Sequence, residues 1–188
     1  VDAGAGTIMS AFNDLCGIPA SANRYTLTTI LREEWGFEGF VVSDWNSIGE
    51  LINHGLAGTP EEAAKEAVDA GVDMDMCGNV YQRSLTQLVK EGKVSEKTLD
   101  QAVKRILSIK FKLGLFERPY VDPDHPSKVL QSEEHVATAL ELARRSIVLL
   151  KNDSSLLPLR KDIKSVAVIG PLADDRNEPL GSWSCMGN

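Results

Sequence analysis

Phe40-Val41-Val42-Ser43-Asp44-Trp45 is the stretch on which the reading of this chain turns. Its apolar residues run without alternation, as in a strand covered on both faces. The run ends in a carboxylate followed by an indole. In barrels and doubly wound sheets, chemistry sits where such parallel strands end. Asp44 is therefore the first candidate for a functional side chain. The competing reading is a turn or helix cap, the common use of Asp after a strand.

Two similar stretches flank it: Ile8-Met9-Ser10-Ala11-Phe12 before and Gly71-Val72-Asp73-Met74-Asp75-Met76 after. The three predicted strands start near 8, 40 and 72, a spacing of 32 residues, against ~31 per unit in a (β/α)8 barrel of ~250 residues. Doubly wound sheets have similar units. Right-handed crossovers make the strands parallel and bring Phe12, Asp44, Trp45 and Asp75 to one rim.

Helices are predicted between and after them. A loop from Asn13 to Arg24 leads to the first, with Leu27, Ile30 and Leu31 on one face and an end near Trp35-Gly36. Thr59, Pro60 and Glu62 start another with a capping box, and Gly71 stops it. Tyr81, Leu85 and Leu88 mark a third, stopped by Gly92. Ser95 caps a fourth, which carries Leu99, Val103, Leu107 and Phe111 and stops at Gly114. Lys104, Arg105, Lys110 and Lys112 on that helix read as a solvated face.

The character changes from 117 to 131, where Pro119, Pro123 and Pro126 fall close together. Such a segment reads as an interdomain linker. Beyond it come a helix begun by Ser132 and two apolar runs, Ile147–Leu150 and Val166–Ile169, read as strands of a second α/β unit. Three βα units do not close a barrel, and two strands with one helix do not cover a sheet. The expectation is an internal piece of a longer protein.

The net charge of −7 argues against non-specific binding to nucleic acid or to an anionic membrane surface. Val1-Asp2-Ala3-Gly4-Ala5-Gly6 has neither the basic start nor the apolar core of a signal peptide. Cys16, Cys77 and Cys185 are odd in number and widely spaced, which disfavours a disulfide framework or zinc site. Cys16 and Cys77 read as small semi-buried thiols. His54, His125 and His135 lack partners at metal-ligand spacing. No Gly-rich phosphate loop follows any of the three strands. Asn152-Asp153-Ser154 matches the glycosylation pattern, a match frequent by chance.

The order Met9-Ser10-Ala11-Phe12-Asn13, then 31–45 (Leu-Arg-Glu-Glu-Trp-Gly-Phe-Glu-Gly-Phe-Val-Val-Ser-Asp-Trp), then 70–76, Lys112-Leu113-Gly114-Leu115-Phe116 and Leu149-Leu150-Lys151-Asn152-Asp153 closely resembles glycoside hydrolase family 3, in its bacterial β-glucosidase branch. Ile169-Gly170-Pro171 and Gly181-Ser182-Trp183-Ser184 resemble it too. The resemblance implies an α/β fold: the last three units of a (β/α)8 barrel over 1–116, a linker over 117–131, and the beginning of an α/β sandwich domain over 132–188.

It also implies a retaining exo-β-glycosidase acting on a β-glucoside or oligosaccharide, with no cofactor, metal, nucleic-acid or membrane partner. A homodimer is compatible with it. It favours a periplasmic or secreted location over a cytoplasmic one. Asp44 maps to the family's nucleophile and Trp45 to the aromatic wall beside the terminal sugar. Phe12 takes a position that is often Tyr and lacks that hydroxyl; Met9 maps to an apolar pocket residue. Core packing is the competing reading for Trp45 and Met9.

The family's acid/base Glu is implied beyond residue 188, and its sugar-binding Lys-His pair and Arg before Val1. The 188-residue chain alone is therefore expected to be inactive or nearly so. Asp75 is the obvious in-chain partner for Asp44 by position. The resemblance instead makes Asp75 a structural carboxylate, and Asp73, inside the predicted strand, reads as structural too. The alternatives are β-xylosidase or another specificity of the family, or a non-catalytic truncated piece. An N-acetylglucosaminidase is disfavoured because its Asp-His dyad loop is not visible.

Overall fold

The computed structural model describes residues 1–181; Ser182, Trp183, Ser184 and Cys185 of the reading above lie outside the described residues. The chain forms two compact units, Val1–Pro123 and a second starting at Asp124.

In the first unit, β1 (Thr7–Met9) and β4 (Phe40–Val42) pair in parallel, with Thr7 opposite Phe40, Ile8 opposite Val41 and Met9 opposite Val42. Val42 then forms a parallel bridge to Met74. The three expected segments thus lie side by side in sequence order. The third is a single bridge rather than a strand, and Asp73 is the reason. The Val41 amide donates to Asp73 Oδ2 at 2.8 Å, while the Val41 carbonyl accepts from both Asp73 N (2.8 Å) and Met74 N (3.1 Å). A side-chain carboxylate stands where a ladder carbonyl would be, and regular pairing breaks there.

The period of two sorts the side chains. Ser10, Val41 and Ser43 are buried toward the helices. Met9, Val42 and Asp44 lie on the opposite, more open face. The core between strands and helices holds Leu27, Leu31, Ile48, Leu51, Ala67 and Val72. Each large aliphatic side chain buried there contributes roughly 1.5–3 kcal/mol.

The helix Tyr25–Glu34 is where the apolar spacing puts it, but it winds more widely than an α-helix. Trp35 N reaches Ile30 O, five residues back, at 3.0 Å. α1 (Pro60–Ala70) starts on Thr59, whose Oγ1 accepts from Glu62 N at 3.2 Å, and ends on Gly71 at φ 112. The Glu62 carboxylate reaches Gly58 N at 2.7 Å rather than the Thr59 amide, so the box closes one residue early. α2 (Val80–Lys90) and α3 (Glu96–Lys112) follow, with Ser95 Oγ accepting from Thr98 N at 3.1 Å.

Three expectations for this unit are corrected. The Asn13–Arg24 loop contains a hairpin, β2 (Asp14–Leu15) against β3 (Ile18–Pro19), turned by Cys16 and Gly17 at φ 54 and 79. Two-residue turns with positive φ at both positions usually advertise Asn-Gly or Asp-Gly, and Cys-Gly hides the signal. Cys16 and Cys77 are exposed, not semi-buried. Both sit in left-handed turn conformation, which lifts them off the packed surface. Arg105 leaves the solvated face: its Nη1 donates to Asp73 Oδ1 at 2.9 Å. Arg32 Nη2 donates to Asp73 Oδ2 at 2.5 Å, so one buried carboxylate joins β4 to two helices.

The second unit has α4 (His125–Val129) and α5 (Glu133–Ser146), the latter capped by Ser132. α4 lies inside the predicted linker; Pro126 is tolerated because it falls in the first turn, where no amide donor is needed. The predicted strands Ile147–Leu150 and Val166–Ile169 have no strand partner among the described residues, and Leu150 and Ile169 are 91% and 92% exposed. An apolar run supplies only half of a strand, because the other half is a neighbour to bond.

Candidate active site

Asp44 stands two residues beyond β4, and its main chain is held on both sides. Ser43 N donates to Met74 O and Asn46 N to Met76 O, each at 2.8 Å. The Asp44 carbonyl accepts from Ser43 Oγ at 2.9 Å and from Ser47 N at 3.1 Å. Ser43 Oγ in turn accepts from Met76 N at 2.8 Å. Within the carboxylate, Oδ1 accepts from Trp45 N at 2.7 Å. Oδ2 has no hydrogen-bond partner among the described residues, which suits a carboxylate that must approach an electrophile.

Trp45 is 54% exposed and Met9 53%. Register places Met9 beside Val42, and alternation puts Asp44 on that same face. Phe12 follows Ser10 along the rim and is also exposed. Met9 ends β1 and Asp44 and Trp45 follow β4, so all three lie near the carboxyl ends of the parallel segments.

Asp75 belongs to a different task. Its Oδ2 accepts from Val80 N at 2.7 Å and Tyr81 N at 3.3 Å, the first amides of α2. Its Oδ1 lies against Gly78, where a Cβ would come within 2.7 Å. This carboxylate is a helix cap with glycine packed on it. Asp73 is likewise a buried bonding hub. Tyr81 OH donates to Val72 O at 2.8 Å. Burial, reinforced by Asp75, Asp73 and Asp69, pushes the Tyr81 phenol well above its ordinary pKa and keeps it a donor.

One group near Asp44 has no signature in the sequence. Ser10, Ser21 and Ser47 form a buried row of hydroxyls, with Oγ–Oγ distances of 2.8 and 2.7 Å. They come from three segments, and nothing in their spacing announces the contact. The rim loops also meet where His54 Nδ1 approaches Asp14 Oδ1 at 3.2 Å. No cluster of three His, Cys, Asp or Glu side chains that could hold a metal occurs among the described residues. Chemically, the arrangement offers a carboxylate on a firmly held main chain, next in sequence to an indole.

Known proteins were compared with the chain. It matches the profile described as the glycosyl hydrolase family 3 N terminal domain over residues 1–109, and that of the family's C-terminal domain over residues 147–188. It is 45% identical to a periplasmic beta-glucosidase of Salmonella typhimurium, covering 100% of this chain and 25% of that protein. A beta-xylosidase of Formosa agariphila is 40% identical over 99% of this chain and 27% of that protein. The beta-glucosidase of Listeria innocua superposes with a TM-score of 0.75 at 44% identity, over 85% of this chain and 22% of that one. That enzyme has been solved with glucose and, as a mutant, with laminaribiose. The chain spans about a quarter of the length of the curated relatives it matches.

Proposed function

The chain belongs to glycosyl hydrolase family 3, and from that premise we propose that it carries the nucleophile, Asp44, of a retaining exo-β-glycosidase that removes terminal β-D-glucosyl residues. The observation that carries this reading is the clamped Asp44 main chain, with Oδ1 bonded to the Trp45 amide and Oδ2 left for attack. Asp44 attacks the anomeric carbon as the bond to the glycosidic oxygen breaks, and that oxygen takes a proton from a general acid. Water then attacks the same carbon, frees the carboxylate and leaves the configuration retained. The general acid must lie about 5 Å from the nucleophile. Asp75, spent on capping α2, is not that group.

Trp45 gives the apolar C–H face of the sugar a flat surface, and Met9 and Phe12 extend the apolar wall. In the same proposal, residues 1–116 are barrel units, 117–131 the linker and 132–188 the opening of the sandwich domain. It is supported by the end of α3 at Lys112 and by the second profile match, which begins at 147. A periplasmic or secreted location goes with it, as the Salmonella relative's name suggests for that protein.

The Formosa relative favours one alternative, β-xylosidase. The test uses the full-length protein and an activated 2-deoxy-2-fluoro-β-glucoside. The label is expected on Asp44, and Asp44→Ala should lower kcat by about 10⁴-fold or more. Label on another residue, or release of the inverted anomer, overturns the reading. A higher kcat/KM on the aryl β-xyloside than on the aryl β-glucoside selects the alternative.

A further inference from the structure

Ser10, Ser21 and Ser47 are 3%, 1% and 4% exposed, and each lies on a different segment. Ser10 follows β1, Ser21 sits in the short turn Ala20–Ala22 after β3, and Ser47 is the third residue after Asp44. Ser21 is the middle member and bonds both others, at 2.8 and 2.7 Å. Ser47 N donates to the Asp44 carbonyl at 3.1 Å. The turn between them includes Asn46 at φ 55, a conformation that costs energy outside glycine and persists only when its surroundings hold it. Buried hydroxyls need partners, and here they are one another's. The row therefore ties the turn that begins at Asp44 to the adjacent strand end, by a route independent of the backbone ladder.

We propose that Ser21 is a positioning residue for Asp44: through Ser47 it fixes the turn on which the carboxylate is mounted, and through Ser10 it references that turn to β1. This rests on the assignment of Asp44 as nucleophile. Ser21 touches no substrate, so its removal changes where the carboxylate stands and leaves the binding surface in place. The consequence is a slower glycosylation step with sugar affinity preserved, because small displacements of a reacting group are costly in rate.

The test is kinetic, on the full-length protein with an aryl β-glucoside. Ser21→Ala and Ser47→Ala should each lower kcat and the rate of fluoro-sugar labelling by about 10- to 100-fold, with KM within about twofold of the parent. The double variant should be no worse than the poorer single one, since both cut the same link. Ser84→Ala is the control for loss of a buried serine: Ser84 is 1% exposed, lies on α2, and its Oγ has no hydrogen-bond partner among the described residues. It should keep the parental kcat. If Ser21→Ala does not fold, Ser47→Ala decides alone. Unchanged kcat in the folded variants, or effects that add in the double, overturns the positioning role. Absence of label on Asp44 in the parent overturns the nucleophile assignment instead, so the two failures are told apart.

Discussion

Replacing Asp73 by Asn should destabilise the protein more than the loss of any surface ion pair. The substitution keeps size and shape and removes the charge. Asp73 has a side-chain exposure of 2% and accepts from Val41 N at 2.8 Å, Arg32 Nη2 at 2.5 Å and Arg105 Nη1 at 2.9 Å. Losing one partner of a buried ion pair costs about 3–5 kcal/mol, because the other charge stays buried. Two features place this case at the lower end. Arg105 is 28% exposed and regains water. Arg32 keeps bonds to the carbonyls of Gly39 (3.0 Å) and Gly71 (3.3 Å). Arg32 Nε, however, is already buried without a partner among the described residues, and burial already lowers the guanidinium's pKa, so little reserve is left for solvating the cation. The expected loss is about 3 kcal/mol, or roughly 6–12 °C in Tm at about 2–4 °C per kcal/mol. Arg105→Ala removes only the partly exposed partner and leaves Asp73 paired with Arg32, so it should cost about 1 kcal/mol. The assay is thermal unfolding of the full-length protein at neutral pH. A Tm within about 2 °C of the parent for Asp73→Asn, or one equal to that of Arg105→Ala, would refute the reasoning.

Two further substitutions test the same framework. A Cβ at Gly39 would stand 2.1 Å from the Gly6 carbonyl oxygen and 2.6 Å from the Phe37 ring, so Gly39→Ala should cost about 3 kcal/mol or more, read as a lower denaturant midpoint; an unchanged midpoint would show that the backbone yields. Tyr81→Phe should cost about 1 kcal/mol at pH 8 through the lost bond to Val72 O. Because the native phenol's pKa is raised, the native state stays protonated as the unfolded chain ionises. That stabilisation is complete below the unfolded pKa of about 10 and declines above it, at about 1.4 kcal/mol per pH unit. The pH–stability curves of parent and variant should therefore converge between pH 10 and 11, and parallel curves there would count against the buried donor.

Legibility in the sequence followed the range of each cause. The apolar run at Phe40–Val42, the N-caps Thr59 and Ser95 and the stop at Gly71 are local devices, and each was read in place. The parallel order of the segments followed from their 32-residue spacing, because chain chirality leaves little choice. What escaped was non-local. The Ser10–Ser21–Ser47 row and the Arg32–Asp73–Arg105 cluster each draw their members from three segments far apart in sequence. The hairpin at Cys16-Gly17 escaped for another reason, an atypical residue in a familiar turn. The runs Ile147–Leu150 and Val166–Ile169 show the converse: apolar composition states a requirement for cover and does not supply it.

The carboxylate of Asp73 also bears on the order of folding. It gathers groups from positions 32, 41 and 105, so its charge is satisfied only after the first helix, the strand and α3 have all arrived. Loop closure costs entropy that grows slowly with length, so reaching the distant Arg105 adds little to the entropic cost. A state that lacks one of these elements forgoes part of this bonding. One acidic side chain thereby links three parts of the first unit that lie far apart in sequence.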